Sequence, residues 1–177
     1  MWTVITIFAG IVTFLSFAWG MKFHFQGCHN IPARMRFLLV LSAIAFVSFV
    51  GFAIWQGVSQ LIGIVSFMLL LISCLLFWWA VHTTKDKPPA VACAGDTPTV
   101  IYTHGPYAYI RHPFYTAYSL AWIAAALAGG PVQWILSAII VTWYYKVARE
   151  EESALLSSNI GDDYVRYRAK IRSYFFT

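Results

Sequence analysis

Three apolar, uncharged runs follow one another in the first half of this chain. They cover residues 3–21, 37–55 and 61–80. Each is about 20 residues long, which as an α-helix spans the roughly 30 Å of hydrocarbon in a bilayer. Only 11% of the chain is charged, whereas soluble domains have about 25%. We therefore predict an all-α integral membrane protein.

Two shorter apolar runs, residues 113–128 and 132–147, are separated by the triplet Gly129-Gly130-Pro131. Adjacent glycines and a proline are typical of a tight turn, so this pattern predicts a helical hairpin. The chain is then expected to have about five transmembrane helices.

The last segment, residues 148–177, places apolar residues at helical spacing, with a break near 159–161. It also holds basic residues that suit anionic headgroups, so we predict a C-terminal interfacial helix. We treat residues 1–177 as one membrane domain. It comprises a three-helix part, 1–82, and a cofactor-binding part, 99–177, with the hairpin and the C-terminal helix.

The basic residues test this topology. With the N-terminus outside, all twelve Lys and Arg fall in segments 22–36, 81–112 and 146–177. Such a bias marks the cytoplasmic side of a membrane protein. The seven acidic residues lie in the same segments. We therefore expect the C-terminus and any active site to face the cytoplasm, with a bacterial inner membrane as the expected location.

The three cysteines form no CxxC pair. This arrangement argues against a disulfide framework, and we predict no metal site.

Arg111 and His112 stand directly before Pro113 and the fourth apolar run. Proline favours the first position of a helix, and the free N–H groups there attract anions. These residues therefore predict a site for a carboxylate or a phosphate. The alternative is an arginine that reaches to headgroups and a histidine that caps the helix.

Four tyrosines, at 107, 109, 115 and 118, surround this point. They either form an aromatic belt or offer ring faces to a cation. The acids Glu150, Glu151 and Glu152 follow the fifth run. They either form a solvated helix end or face a partner, which is Arg149, Arg111 or a ligand with amines and hydroxyls. Together these groups match the carboxylate, ammonium, sulfonium and ribose of S-adenosylmethionine.

The motif GPYAYIRHPFYTAY, a hairpin and then EESALLSSNIGDDYVRYRAKI resemble the isoprenylcysteine carboxyl methyltransferase family and its bacterial relatives. The resemblance covers about residues 99–171, and motif order and spacing agree. Its positions in this chain are Gly105, Tyr107, Arg111, His112, Pro113, Tyr115, Glu151, Glu152, Leu155, Tyr164 and Tyr167.

The resemblance implies an S-adenosylmethionine-dependent methyltransferase, with Arg111, His112 and Glu151 as catalytic residues. The implied cofactor-binding residues are Val100, Ile101, Tyr102, Tyr107, His112, Pro113, Phe114, Tyr115, Glu151 and Glu152. Substrate binding is implied for Tyr145, Lys146 and Arg149.

Two departures concern the substrate. Eukaryotic members carry an arginine near the position of Tyr145, and a glycine at the position of Ala117. A prenylated protein carboxylate is therefore one candidate among several lipophilic or small acceptors. The expected partners are the bilayer and this acceptor, with no nucleic acid, and the sequence predicts no oligomeric state.

Two other functions stay open at this point. One is an NADPH-dependent membrane reductase of the steroid-reductase type, although the loop offers few basic residues for a 2′-phosphate. The other is a non-enzymatic small membrane subunit, although none of the apolar runs has a charged residue in its middle, as an ion path usually requires.

Overall fold

The computed structural model describes residues 1–25, 33–89 and 100–173. This part of the chain is helical and its only β-pairing is one isolated bridge, between Ile110 and Arg172. A single 3₁₀ turn, Gly105–Ala108, precedes the fourth helix. The helices are α1 (Trp2–Phe23), α2 (Ala33–Gln56), α3 (Gln60–Thr83), α4 (Pro113–Leu156) and α5 (Gly161–Arg168).

Helix α4 is a hairpin. Its residue Gly130 has φ 76° and ψ −170°, a conformation that only glycine adopts readily. Trp122 Nε1 lies 3.4 Å from Tyr144 Oη, and His112 lies 3.0 Å from Glu152. On a straight helix, His112 and Glu152 would be about 60 Å apart. The predicted hairpin is confirmed, with a first limb at 113–129 and a second limb at 131–156.

Helices α1, α2, α3 and α4 are each long and apolar enough to cross a membrane. Because α4 folds back on itself, these four helices provide five crossings, as the sequence predicted. Many large apolar side chains on the outer faces are exposed, including those of Phe8, Val47 and Leu61. Lipid tails can cover these faces, so the prediction of an all-α integral membrane protein is confirmed.

The first limb of α4 lies at the centre of the bundle. Its buried face is rich in alanine, including Ala117, Ala121, Ala124 and Ala125. Small side chains let helices approach closely within a membrane, and α4 packs most extensively against α3 and α2. At one such crossing the Ser73 hydroxyl donates to the Ala117 carbonyl oxygen over 2.7 Å.

Helix α1 packs mainly against α3 and touches α2 only slightly. At the charged end of the bundle the α1 and α3 termini are joined, because His24 Nε2 lies 2.8 Å from Thr84 Oγ1. The limited contact between α1 and α2 allows a cavity to form between these two helices and the hairpin, as described below.

The second limb extends further than predicted. The sequence placed its end near Val147, where the apolar run stops, but the helix continues to Leu156. Its last turns hold Glu152, which is buried against the start of the first limb. This long-range pairing keeps the polar turns helical, and the turn after Leu156 confirms the predicted break before α5.

Candidate active site

A buried carboxylate joins both ends of the hairpin. Glu152 Oε1 lies 2.9 Å from Arg111 Nε and 3.0 Å from His112 Nε2. The Ser173 hydroxyl is 3.3 Å from the same oxygen. Only 4% of the Glu152 side chain is exposed. Burying this charge is tolerable because it is paired and hydrogen-bonded.

Arg111 also holds the C-terminal segment. Its Nη1 donates to the carbonyl oxygens of Ile171, over 2.6 Å, and Arg168, over 3.3 Å. The Arg111 backbone N–H donates to the Arg172 carbonyl oxygen over 2.8 Å. We call Arg111, His112, Glu152 and residues 168–173 the latch. The latch uses donors that the sequence had assigned to an external anion.

Glu151 lies in different surroundings from its neighbour. It accepts a hydrogen bond from the Tyr115 hydroxyl over 2.5 Å, and its Oε2 is 4.0 Å from His112 Nδ1. One third of its side chain is exposed, 33%, and it lines a large cavity. Glu151 is therefore available to a ligand in a way that Glu152 is not.

The cavity has a volume of about 1100 Å³ and lies between α1, α2 and the hairpin. Ligand pockets commonly measure about 300–1,000 Å³, so it has room for more than one small molecule. Its mouth is polar and is lined by Arg34, Arg111, His112, Glu150 and Glu151. Its deeper part is apolar and is lined by residues of α1 and α2 that include Ile11, Phe14, Leu39 and Phe46.

Aromatic rings cover much of the cavity wall. Tyr115 stacks on Tyr144, with ring centroids 5.8 Å apart and planes 20° apart. The hydroxyls of Tyr118 and Tyr164 are buried in this wall without a protein hydrogen-bond partner. Leaving such a group unpaired costs about 1–3 kcal/mol. Contacts within the described part of the chain therefore do not account for either hydroxyl.

The tyrosines at the mouth are neutral hydrogen-bonding groups. Burial, followed by the nearby Tyr102, raises the pKa of Tyr107 well above its ordinary value. Burial also raises the pKa of Tyr167 to about 12. The Tyr167 hydroxyl stays protonated at neutral pH and donates to the Tyr107 carbonyl oxygen over 2.7 Å, which attaches α5 to the mouth.

Most of the predicted site residues meet at the cavity. Those that line it are Ile101, Tyr102, Tyr107, Arg111, His112, Pro113, Phe114, Tyr115 and Glu151. Glu152 lies behind this wall, in the latch. Val100 is half-buried and is not among the lining residues, and Tyr145, Lys146 and Arg149 are exposed and do not line the cavity. The catalytic and binding roles of all the predicted site residues, including those that line the cavity, stay predictions.

Sequence reasoning missed the contribution of the second limb and of the first two helices. Tyr144, Trp122 and Ser42 all line the cavity, but none belongs to a motif. One signal was present, because Tyr115, Tyr118 and Trp122 are spaced by three and four residues and share one helix face.

Within the residues that the structure describes, no group of three His, Cys, Asp or Glu side chains could hold a metal ion.

Comparison with known families agrees with this geometry. The profile of the phospholipid methyltransferase family matches residues 62–162, which is more than half of the chain. The chain belongs to the phospholipid methyltransferase family. The matched region runs from α3 to the start of α5 and includes Tyr107, Arg111, His112, Glu150 and Glu151 of the cavity mouth. No curated protein and no solved structure matches the chain.

This membership makes the protein a membrane methyltransferase and confirms the resemblance seen in the sequence. The matched region contains both Arg111-His112-Pro113 and the glutamates of the second limb. The paired side chains of the latch, Arg111, His112 and Glu152, therefore lie in the part of the chain that carries the family likeness.

Proposed function

We propose that this methyltransferase uses S-adenosylmethionine to methylate a lipophilic or small acceptor at the cytoplasmic face of the membrane. One observation carries the proposal. A single cavity joins a polar, aromatic mouth beside the latch to an apolar trough between α1 and α2. A charged methyl donor can therefore enter this cavity from water through the mouth, and an apolar acceptor can enter it from the lipid through the trough.

The residues at the mouth fit the donor. Glu151 is a partly exposed carboxylate that can accept from an amine or from ribose hydroxyls. Tyr107 and Tyr115 present ring faces, which attract a sulfonium or an adenine. The unpaired Tyr164 hydroxyl offers a further hydrogen bond. Val100, Ile101, Tyr102, Pro113 and Phe114 complete the donor site in this proposal.

When bound, S-adenosylmethionine supplies an electrophilic methyl group. The chain itself must hold the acceptor in line and keep water away. The aromatic wall around Tyr115 and Tyr144 supplies the dry surroundings. The latch positions His112 and closes the C-terminal segment against the mouth, while the trough orients an apolar acceptor body.

His112 and Glu151 are the groups that can take a proton from the acceptor. Because Glu152 is a carboxylate that only accepts, His112 Nε2 carries the hydrogen of that contact. The other ring nitrogen, His112 Nδ1, lies 4.0 Å from Glu151 Oε2. A thiol or amine acceptor would use this proton site, whereas a carboxylate acceptor, such as an isoprenylcysteine, would need none.

The charge pattern supports the orientation. In the described chain the latch and the termini of α1 and α3 lie at the end of the bundle that holds the Lys and Arg residues. We propose that this end is cytoplasmic, as the positive-inside rule favours. Tyr145, Lys146 and Arg149 would then lie at the same interface, where an acceptor headgroup could contact them.

The test is methyl transfer in a reconstituted membrane. Purified protein in nanodiscs made from bacterial lipid extract is incubated with methyl-labelled S-adenosylmethionine, and lipids and small molecules are analysed by mass spectrometry. We expect a product heavier by one methyl group in the wild type and less of it in Glu151→Gln. The exposed Asp162→Asn is the control and should match the wild type.

Cofactor preference separates this proposal from the reductase alternative. Thermal unfolding is followed with S-adenosylhomocysteine or with NADPH. Stabilisation by S-adenosylhomocysteine alone supports the proposal. Stabilisation by NADPH alone, with no methylated product, would contradict it.

A further inference from the structure

The cavity contains a second group of polar side chains, deeper than the mouth. The group comprises Ser42, Tyr118, Trp122 and Tyr144, all of which line the cavity. Trp122 Nε1 donates to the Tyr144 hydroxyl over 3.4 Å, and Ser42 hydrogen-bonds the same hydroxyl. We call these four residues the deep polar cluster.

Tyr118 is the member of this cluster that protein contacts do not explain. Its hydroxyl is buried and has no hydrogen-bond partner among residues 1–25, 33–89 and 100–173. Its ring packs against Phe17, with centroids 4.7 Å apart, and against Tyr144, 5.5 Å apart. Phenylalanine would make the same ring contacts without burying an unpaired hydroxyl. No side chain or backbone group that the structure describes therefore accounts for this hydroxyl.

Three short side chains also have buried hydroxyls without a hydrogen-bond partner in the described chain, but they differ from Tyr118. Thr6, Ser48 and Ser66 have short side chains on helices, and such side chains can turn back to a carbonyl of the preceding turn. A tyrosine hydroxyl stands too far from its own helix backbone to do so. The Tyr118 side chain also lines the cavity, whereas the three short side chains do not.

The position of the cluster defines the chemistry of its ligand. Tyr118 lies five residues and Trp122 nine residues beyond Pro113, so they are about 8 and 14 Å along the first limb. The cavity residues packed around them, Phe14, Phe17 and Phe46, are apolar. Within the described lining, the charged side chains belong to the mouth. A charged group at this depth would be costly.

We propose that the deep polar cluster is a subsite for an uncharged hydrogen-bonding group, a hydroxyl or a carbonyl, of an amphiphile whose apolar body lies in the trough between α1 and α2. Tyr118 is its specificity-determining residue. The identification of this amphiphile as the methyl acceptor rests on the proposed function. The subsite itself rests only on the geometry of the cluster.

The proposal is tested with a matched pair of probes, 1-dodecanol and dodecane, which differ only in the hydroxyl. Binding to the protein in nanodiscs is followed by tryptophan fluorescence, since Trp122 and Trp143 line the cavity. We expect the wild type to prefer the alcohol, and we expect Tyr118→Phe to lower that preference by about 3- to 10-fold. Dodecanol and dodecane partition differently into lipid, but this difference cancels when the wild type and Tyr118→Phe are compared in nanodiscs of the same composition.

The control is Tyr109→Phe, whose side chain is 67% exposed and lies outside the cavity lining. It should keep the wild-type preference. Because Tyr118→Phe removes an unpaired buried hydroxyl, its unfolding temperature should equal or exceed that of the wild type. An unchanged alcohol preference in Tyr118→Phe would overturn the proposal, as would binding of dodecylamine or dodecanoate as tight as that of dodecanol.

S-adenosylhomocysteine binding, measured on the same samples, separates this inference from the proposed function. Tyr118→Phe should bind it as the wild type does. The wild type could fail to bind S-adenosylhomocysteine while its preference for the alcohol still depended on Tyr118. That result would contradict the proposed function but would support the subsite as a binding site for an amphiphile.

Discussion

The latch and the cavity wall use consecutive residues for opposite purposes. Glu152 is almost fully buried and its Oε1 is shared by Arg111, His112 and Ser173. Glu151 is partly exposed, pairs with the Tyr115 hydroxyl and lines the cavity. Consecutive residues point about 100° apart around a helix. This rotation alone separates a carboxylate that holds the fold from one that can hold a ligand.

The comparison therefore divides the motif residues by their partners. Substitutions in the latch should reduce stability, and substitutions in the cavity wall should reduce ligand binding with little change in stability. The four predictions that follow test this division, beginning with the largest expected effect.

Arg111→Ala should cause the greatest loss of stability, about 3–5 kcal/mol, because it leaves the buried Glu152 with an incomplete set of partners. The C-terminal segment would also lose its bonds to the Arg111 guanidinium. Thermal unfolding in detergent measures the first effect, and faster proteolysis after α5 measures the second.

A matched control for this variant is Arg166→Ala. Arg166 pairs with Asp163 on the surface, and both side chains are mostly exposed. Such a pair contributes at most about 1 kcal/mol. Equal losses of stability in Arg111→Ala and Arg166→Ala would show that the latch does not hold the fold.

Glu151→Gln should weaken binding of S-adenosylhomocysteine by about 10- to 100-fold, since a hydrogen bond to a charged group contributes about 1.5–3 kcal/mol. Its unfolding temperature without ligand should stay close to that of the wild type. Isothermal titration in nanodiscs gives the affinity. A loss of stability as large as that of Arg111→Ala would contradict the division between latch and wall.

Gly130→Ala should destabilise the latch and the cavity wall together, because both depend on the hairpin turn at Gly130. The expected loss of stability is about 1–2 kcal/mol, since the positive φ of Gly130 is unfavourable for a residue with a Cβ. An added Cβ would also lie 3.1 Å from Gln56 Nε2. Gly51, in α2, has an ordinary helical conformation and no atom within 4 Å of an added Cβ. Gly51→Ala is therefore the control, and thermal unfolding should separate the two variants clearly.

Tyr115→Phe should have the smallest effect. It removes the hydroxyl that donates to Glu151, but it keeps the Glu151 carboxylate that can contact the ligand and the ring that stacks on Tyr144. We expect a loss of S-adenosylhomocysteine affinity of a few-fold at most, with Tyr109→Phe unchanged. A loss greater than that in Glu151→Gln would place the main binding contact on the hydroxyl instead.

The membrane spans and the hairpin could be predicted from the sequence, because both follow from local sequence patterns. Run length sets a span, and Gly130 with Pro131 sets the turn. The spans predicted at 3–21, 37–55 and 61–80 differ from α1, α2 and α3 by no more than four residues at either end. The differences lie in terminal turns, where polar residues continue the helix.

The partners in the site could not be derived in the same way. Arg111 was predicted to bind an external anion because it stands at a helix N-terminus, and it was only one of three possible partners for the acids at 150–152. Its partners are Glu152, 41 residues away, and the backbone of the tail about 60 residues away. Such contacts depend on the register of the hairpin and the path of the tail. A motif can therefore identify the residues of a site before it reveals which of them bind one another.

The central claim is that the cavity mouth beside the latch holds the methyl donor. The most direct measurement is a structure determined by cryo-electron microscopy with bound S-adenosylhomocysteine. We predict ligand density inside the mouth, in contact with Glu151 and with the rings of Tyr107 and Tyr115, and an intact Arg111–Glu152 pair behind it. Density at any other place on the protein, with the mouth closed by its own side chains, would contradict the account.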